Sequence, residues 1–341
     1  MRTSRSSLVA VAAGALALAV LGTAPGVAAG ATSPSSGGQP LAGADGTVVW
    51  GATVTPSKTN PIKPLQTLQT KIGRTVAATR DFLSWDSPFP TTFENSLNSQ
   101  GTTILLSVST TRLNKTAISF GAIAAAQPGD ALYADMVSWA DRVRDFAVPI
   151  YVTFQHEPEA AANKTKGTQA DYIAAWRNWV SVFRAEGATN ARFMFITTAF
   201  GYQVKKTDHR YAPAYYPGDD VVDAIAVDAY NWFTCRATVK NPWNTLAALI
   251  AGQKAFGALH PDKPLWLAEY ASVEDPSMIG RRAQWLTDAG NLFQQPGYEQ
   301  YVGILYFDLK KQCDWRIEND TPSLTAFSAM GADAFYSGTV S

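Results

Sequence analysis

Two stretches of this sequence place a glutamate at the end of an apolar run. Glu157 closes the stretch PIYVTFQHE at residues 149–157, and Glu269 lies near the end of PLWLAEYA at residues 264–271. Two carboxyl groups that face one cleft can divide the work of glycoside hydrolysis. One protonates the leaving oxygen, and the other stays ionised to attack or stabilise the sugar. Taken singly, each glutamate has the alternative of a solvated or ion-paired side chain, but their joint occurrence favours carboxylate chemistry.

His156 stands directly before Glu157, which raises the question of a metal site. A zinc-protease motif would need a second histidine at position 160, where this chain has alanine. His209 and His260 lie far along the chain, so only a remote ligand stays open as an alternative. The predicted folded part contains neither a G-x-S-x-G motif nor a Walker-type phosphate loop. We therefore expect a site without metal or cofactor.

Eight short apolar or β-branched runs, which end in polar or aromatic residues, follow one another along the chain. They lie at residues 47–54, 74–80, 103–109, 149–157, 192–200, 222–230, 264–271 and 301–308. Most are apolar on successive residues, which is typical of strands that are covered on both faces in a parallel sheet. Helical spacing of apolar residues occurs between several of the runs. The clearest helical patterns lie at residues 132–146, 172–183, 243–258, 277–293 and 322–335.

This order of strands and helices predicts an α/β protein, a (β/α)8 TIM barrel with a single catalytic domain, over residues 47–341. A doubly wound open sheet is the main alternative, but no G-x-G-x-x-G follows the first strand. In such barrels the reactive groups lie at the carboxyl ends of the strands. The candidates at those ends are Trp50, Arg80, His156, Glu157, Tyr230, Asn231, Glu269, Tyr270, Phe307 and Asp308.

The first 29 residues have the composition of a signal peptide. Two arginines precede an Ala/Leu/Val stretch, and small residues up to Ala29 suit a signal peptidase. The apolar run breaks at Thr23 and Pro25, so it is short for a membrane anchor, which is the alternative. Residues 30–46 are rich in Gly, Ser and Pro and predict a flexible linker. We expect a secreted, extracellular protein that is free of the membrane after cleavage.

Charge and cysteine content give expectations about binding partners and about a disulfide bond. The full chain has 28 basic and 28 acidic residues, and loss of the two N-terminal arginines would leave a net charge of about −2. No basic block with interleaved aromatic residues occurs, so we expect no nucleic-acid partner. The two cysteines, Cys235 and Cys313, suggest one disulfide in an exported chain, with two free thiols as the alternative.

Three motifs in sequence order resemble those of a known family. QHEPE at 155–159 carries a His-Glu pair, and DKPLWLAEYAS at 262–272 carries Lys-Pro followed by Ala-Glu. Between them, YYPGDDVVDAIAVDAYNWF at 215–233 has Pro-Gly-Asp leading into Val-Asp-x-Tyr-Asn. The set resembles glycoside hydrolase family 26, the β-mannanase-like retaining glycosidases of the (β/α)8 clan. The motifs span the chain from the fourth predicted strand to the seventh.

The resemblance implies a role for each matching residue. Glu157 would be the general acid/base, Glu269 the nucleophile, and Tyr230 a hydrogen-bond donor to the nucleophile. His156 would brace the acid/base side. The alternatives are a structural histidine and a core tyrosine with a satisfied hydroxyl. Mannanases of the family continue the His-Glu pair with Met-Asn-Gly and a tryptophan-rich stretch, whereas Pro-Glu-Ala-Ala-Ala follows here. The catalytic pair is kept, and mannan specificity stays open.

A glycan cleft needs exposed aromatic side chains, because sugar rings present apolar C–H faces. Trp85, Trp232 and Trp315 follow the second, sixth and eighth predicted strands, and we expect them on the cleft face. The two cysteines follow the sixth and eighth strands. A Cys235–Cys313 disulfide would therefore join loops on either side of the strand that carries the second glutamate.

The sequence thus predicts a secreted retaining endo-β-glycosidase that cleaves β-linked polysaccharide by double displacement with two glutamates. An endo-β-1,4-mannanase-like activity on β-mannan is the first candidate. The alternatives are the same machinery acting on xylan or a β-glucan, and a barrel that binds glycan without cleaving it. The expected partner is a polysaccharide, and we expect a monomer.

Overall fold

The computed structural model describes residues 46–236 and 241–340. Within these residues eight parallel strands form a closed barrel, in which each strand pairs with the next and the last pairs with the first. The strands are β1 Val49–Thr53, β2 Ala78–Leu83, β3 Thr103–Val108, β4 Ile150–Phe154, β5 Ala191–Thr198, β6 Ala224–Asn231, β7 Leu265–Ser272 and β8 Tyr301–Phe307. The predicted α/β fold, a (β/α)8 TIM barrel that forms a single domain, is confirmed.

Helices lie between most of the strands and cover the outside of the barrel. They are α1 Lys63–Ile72, α2 Thr92–Ser99, α3 Phe120–Ala125, α4 Ala131–Phe146, α5 Gln169–Ala185, α6 Leu246–Gly257, α7 Arg281–Leu292 and α8 Thr321–Ala332. Between β5 and β6 the described chain has only short 3-10 helices. Pro213 and Pro217 lie in that segment, and proline interrupts the hydrogen bonds of an α-helix. This position of the two prolines agrees with the absence of an α-helix from the described segment between β5 and β6.

The strands are covered on both faces, so two layers of apolar side chains form. The inner layer fills the barrel and includes Tyr151, Met194 and Trp266. Trp266 needs a glycine opposite it, because a Cβ on Gly303 would lie 2.1 Å from the indole ring. The outer layer packs between strands and helices. It contains the four tryptophans of the helical patterns, which are Trp139, Trp176, Trp179 and Trp285.

Side-chain caps fix the first residues of two of the helices. Thr168 accepts a hydrogen bond from the Asp171 backbone N–H, and the Asp171 side chain accepts from the Thr168 N–H. Thr91 and Glu94 form the same reciprocal cap at the start of α2. Such caps satisfy amide groups that a helix leaves unpaired at its first turn. They therefore stabilise α5 directly after the loop that follows β4.

The predicted signal peptide at residues 1–29 lies outside the described residues, as does nearly all of the predicted linker at 30–46. Only Gly46 of the linker is described. In the described part, no helix combines the length and apolar character that a membrane crossing requires.

Candidate active site

The two predicted catalytic glutamates lie at the same end of the barrel. Glu157 follows β4 by three residues, and Glu269 lies in the second half of β7. Parallel strands of a closed barrel direct their carboxyl ends toward one rim, where the loops that follow them meet. The charge of Glu269 acts on the pKa of Glu157, so the two carboxyl groups share one electrostatic environment. The barrel thus brings together two residues that are more than 100 positions apart in sequence.

A buried arginine organises the side of this site that holds Glu269. Arg80, in β2, is 1% exposed. One of its terminal nitrogens, Nη1, lies 2.8 Å from Asp228 Oδ1 and 2.8 Å from Glu269 Oε1. Its Nε–H donates to Ser107 Oγ at 3.0 Å. Three side chains from β3, β6 and β7 therefore accept from one guanidinium, which fixes the position of Glu269.

Glu269 accepts a hydrogen bond at each of its carboxylate oxygens. Oε1 accepts from Arg80, and Oε2 accepts from the Tyr230 hydroxyl. Burial raises the pKa of Glu269, while Arg80 and the Tyr230 hydroxyl oppose that shift because they stabilise the charged form. The result is an oriented carboxylate in a buried setting, which is the state that a nucleophilic glutamate requires.

Irregular strand pairing accompanies this arrangement. The register between β6 and β7 shifts between Val227 and Asp228, and that between β7 and β8 shifts between Leu267 and Tyr270. An irregularity of this kind bends a strand and re-aims its side chains. Here it occurs next to Asp228 and Glu269, the two carboxylate acceptors of the buried arginine.

The pKa of Glu157 is raised as well, and here the charge of Glu269 adds to the effect of burial. Burial and, second, the charge of Glu269 raise its pKa to about 7, against the opposing effect of Arg80. A carboxyl group with such a pKa carries its proton at mildly acidic pH and can give it up during a reaction. The two glutamates therefore lie in environments suited to one proton donor and one oriented carboxylate.

His156 is neutral in this site. Burial, followed by the charges of Arg80 and Lys166, lowers its pKa well below the ordinary value. Its buried Nδ1 has no hydrogen-bond partner among the described residues. Its ring lies edge-on to Phe82, with the ring centres 5.6 Å apart. The imidazole ring of His156 thus has an aromatic contact.

Two of the three tryptophans expected on the cleft surface are buried, so that expectation is wrong for them. Trp85 is 1% exposed, because its Nε1–H donates to Asp135 at 2.8 Å and its ring packs against Trp179. Trp315 is also 1% exposed, and its ring centre lies 4.8 Å from that of Tyr230. Trp315 therefore packs against Tyr230 as a buried neighbour.

Trp232 is partly exposed and continues the aromatic cluster outward. Its ring centre lies 5.3 Å from that of Tyr230 and 5.0 Å from that of Trp315. The Arg236 guanidinium lies 3.7 Å from the centre of the Trp232 ring. Of the three predicted tryptophans, Trp232 alone has an accessible surface beside the glutamates.

The predicted disulfide between Cys235 and Cys313 is confirmed, with a Cα–Cα distance of 5.6 Å. Cys235 lies in the loop after β6, and Cys313 lies in the loop after β8. Since β7 lies between these two strands in the barrel, the bond joins the loops on either side of Glu269. It holds Trp232 and Trp315 on segments that are covalently linked.

The known proteins that resemble this chain in sequence or in fold include glycoside hydrolases. No family model matches the chain. Endoglucanase H of Acetivibrio thermocellus is 28% identical over 284 residues, which are 80% of this chain and 29% of that protein. The chain therefore spans less than a third of the length of this relative.

Two solved structures match this chain over most of both chains. The GH26 β-mannanase from Bacteroides ovatus superposes with a TM-score of 0.59 and 17% identity, over 86% of this chain and 90% of that one. The catalytic domain of the GH26 endo-β-1,4-mannanase from Bacillus sp. JAMB-750 gives 0.61 and 15%, over 85% and 86%. The chain has the fold of the family 26 glycoside hydrolases. The resemblance predicted from the three motifs is confirmed at this level.

Within this family 26 fold, not every strand-end candidate faces the site. The Trp50 ring packs on Phe327 of α8, and the Tyr270 ring packs on Trp285 of α7. Successive residues of a strand point to opposite faces, so Tyr270 lies outside the barrel wall because Glu269 lies inside it. The others that remain near the rim are Asn231, Phe307 and Asp308. Phe307 packs edge-on against Tyr230.

Sequence reasoning missed two contributors to this site. Asp228 shares the Arg80 guanidinium with Glu269, and Phe82 is 40% exposed beside His156. The signal for Asp228 was present in the Val-Asp-x-Tyr-Asn motif, two residues before Tyr230. Phe82 lies two residues after Arg80 on the same strand and thus on the same face. Within the described ranges, no group of three or more His, Cys, Asp or Glu side chains is placed to hold a metal ion.

Proposed function

We propose that this chain is a retaining endo-β-glycosidase, and that its first substrate is β-mannan. One observation carries the proposal. Glu157 has a pKa raised to about 7, and Glu269 is held as an oriented carboxylate by Arg80 and Tyr230. A pair of carboxyl groups with these two states matches the acid and the nucleophile of double displacement. The GH26 mannanase structures support the assignment, since the carriers of this fold that they describe are mannanases.

The reaction has two steps. In the first, a Glu269 oxygen attacks the anomeric carbon while the bond to the glycosidic oxygen breaks, and that oxygen takes the proton of Glu157. As the new bond forms, Glu269 loses its negative charge, and its hydrogen bonds with Tyr230 and Arg80 become weaker. In the second, a water molecule gives a proton to Glu157 and attacks the same carbon, which frees Glu269. Glu157 thus ends protonated, as it began.

Trp232 and Phe82 are two aromatic side chains with accessible surface, and each packs against a residue next to a glutamate. We assign them to sugar binding, because aromatic rings stack on the apolar faces of pyranose rings. Trp232 lies on the Glu269 side through Tyr230, and Phe82 lies on the Glu157 side through His156. A glycan that spans the cleft would therefore meet one aromatic contact on each side of the scissile bond.

A β-glucan is the second candidate substrate. The relative from Acetivibrio thermocellus has the name of an endoglucanase, and the residues after Glu157 differ from the Met-Asn-Gly of mannanases. Xylan follows as a third polymer with the same type of linkage. We also propose that the protein is exported and acts as a monomer. The Cys235–Cys313 disulfide supports export, since such bonds persist in oxidising compartments.

The test is the release of reducing ends by the mature protein from galactomannan, glucomannan, xylan and mixed-linkage β-glucan. We expect activity on mannans, and we expect Glu157→Gln and Glu269→Ala each to lower it by at least about a hundredfold. Glu299→Gln is the matched control, because Glu299 is exposed just before β8, at the opposite end of the barrel. Proton NMR of the first product should show the β-anomer, as retention requires.

Each outcome decides between named alternatives. Activity on β-glucan or xylan alone would change the assigned substrate and leave the proposed mechanism in place. Binding without cleavage of any polymer would support a glycan-binding barrel and refute the enzyme. An α-anomer as first product would exclude the double displacement.

A further inference from the structure

The turn that carries Glu157 has an unusual backbone. Gln155 and Glu157 have φ angles of 43° and 48°, in the left-handed region that side chains other than glycine rarely occupy. A conformation of this kind persists only where the surroundings impose it. Two polar side chains that flank the His156-Glu157 pair, Gln155 and Glu159, are 3% and 1% exposed. Their contacts show what imposes the turn.

Gln155 ties the start of the turn to the loop after β3. Its Oε1 accepts from the backbone N–H and the hydroxyl of Thr110, both at 3.0 Å, and from Lys166 Nζ at 2.8 Å. Its Nε2–H donates to the His156 carbonyl at 3.0 Å. All polar atoms of this amide side chain therefore have a partner within or beside the turn.

Glu159 ties the end of the turn to the end of β5. Its Oε1 accepts from the Thr198 backbone N–H at 2.6 Å and from the Thr198 hydroxyl at 2.8 Å. Its Oε2 is buried without a hydrogen-bond partner in the described chain. Burial raises the pKa of Glu159 to about 8, so the carboxyl group is neutral at mildly acidic pH. The space is tight, since a Cβ on Gly201 would lie 3.1 Å from Oε1.

Between these two anchors, two hydrogen bonds hold the backbone of Glu157. Its N–H donates to the Ile196 carbonyl at 2.8 Å, and its carbonyl accepts from Asn163 Nδ2 at 2.9 Å. The Glu157 carboxyl group itself forms a hydrogen bond with Asp228. Fixing the backbone on both sides of an acid sets the direction in which its carboxyl group points.

We infer that Gln155 and Glu159 are positioning residues, which hold the turn so that the Glu157 carboxyl points at the glycosidic oxygen. The inference rests on the proposed role of Glu157 as general acid. Neither residue touches the reacting atoms, and Glu159 stands where mannanases of the family have asparagine in Met-Asn-Gly. The anchoring of the turn by a neutral buried carboxyl is thus a property of this chain.

A misplaced acid has a kinetic signature that a general loss of structure lacks. Cleavage of an unactivated glycosidic bond needs the proton of the acid, whereas departure of dinitrophenolate does not, because that leaving group is stable as an anion. Loss of positioning should therefore slow cleavage of an oligosaccharide and spare the first step with an activated aryl glycoside. Loss of the fold or of sugar binding would slow both.

The experiment measures kcat/KM at pH 6 for mannohexaose and for 2,4-dinitrophenyl β-mannobioside, or for their gluco counterparts if the polymer panel identifies a glucan. For Glu159→Ala we expect a loss of at least about tenfold on the oligosaccharide and of less than about threefold on the aryl glycoside. Glu159→Gln is the matched variant. It keeps an uncharged acceptor for Thr198 and should restore the oligosaccharide rate to within about threefold of wild type.

Equal losses on both substrates, or no loss on either, would overturn the inference. If Glu159→Ala does not fold, Thr198→Val removes one donor to Glu159 and should give a smaller loss with the same selectivity. A wild-type enzyme that is inactive on both substrates would instead refute the proposed function. An active wild type with unselective variants would refute the positioning role alone.

Discussion

Arg80→Met removes the positive charge that two buried carboxylates share, while it keeps most of the side-chain length. In the wild type, Nη1 lies 2.8 Å from both Asp228 and Glu269. The variant would leave these two carboxyl groups buried, close together and without a cation. Removal of one partner from a buried ion pair typically costs about 3–5 kcal/mol, because the remaining charge is uncompensated. We expect a loss of this size in the free energy of unfolding at pH 7.

The loss should depend on pH in a definite direction. Arg80 lowers the pKa of both carboxyl groups, so its removal raises both pKa values in the folded state above those of the wild type. A folded state with raised carboxyl pKa values binds more protons than the unfolded chain, and its stability falls as pH rises through them. The destabilisation by Arg80→Met should therefore be large at pH 7 and smaller at pH 4. Urea unfolding followed by tryptophan fluorescence at the two pH values measures it.

Arg177→Met is the matched control. Arg177 Nη2 lies 2.6 Å from Asp220 Oδ2, but the two side chains are 45% and 61% exposed. An exposed pair contributes about 0–1 kcal/mol, so this variant should change stability little. The double variant Arg80→Met, Asp228→Asn should recover part of the loss, since one of the unpaired carboxylates is gone. If Arg80→Met is no more destabilising than Arg177→Met, or equally so at both pH values, the shared-cation interpretation is wrong.

Three further results are expected. Replacing Cys235 and Cys313 together by serine opens a loop with a sequence separation of 78 and should lower the free energy of unfolding by roughly 4 kcal/mol in urea titrations; an unchanged midpoint would contradict this. Above about pH 7, kcat/KM on oligosaccharide should fall tenfold per pH unit, because Glu157 loses the proton that it must donate. A kcat/KM that does not change up to pH 9 would exclude Glu157 as the acid. Phe82→Ala should raise KM about two- to tenfold with less change in kcat, whereas Phe82→Trp should not.

The barrel was predictable because its strands are buried on both faces. Runs such as TILLSVS have successive apolar residues instead of a strict apolar-polar alternation, and eight of them occur in order. The glutamates were found because a carboxyl group directly after or within such a run must lie at the barrel rim. A cysteine that follows each of two strands around the second glutamate similarly led to the disulfide. Each of these patterns is local in sequence, and the barrel topology then places the residues in space.

The supporting contacts were not predictable, because they join distant positions. Arg80 and Asp228 are 148 residues apart, and no local pattern connects them. Trp85 follows a strand, as a cleft residue would, but its indole N–H is paired with Asp135 of α4, which draws the ring under the loop. Glu159 looks like a solvated loop glutamate, and only the fold places it against Thr198. Charge pairing and loop packing thus require the assembled barrel.

Closure of the barrel makes the order of biosynthesis matter. β1 pairs with β8, so Val49 has no strand partner on that side until Gly303 is available. Both glutamates, Tyr230 and Arg80 are synthesised before that point. A chain interrupted before residue 301 would therefore contain these four residues, yet β1 and β7 would present open strand edges that can pair with other chains. The complete site and protection from aggregation should be acquired together, when the eighth strand enters the sheet.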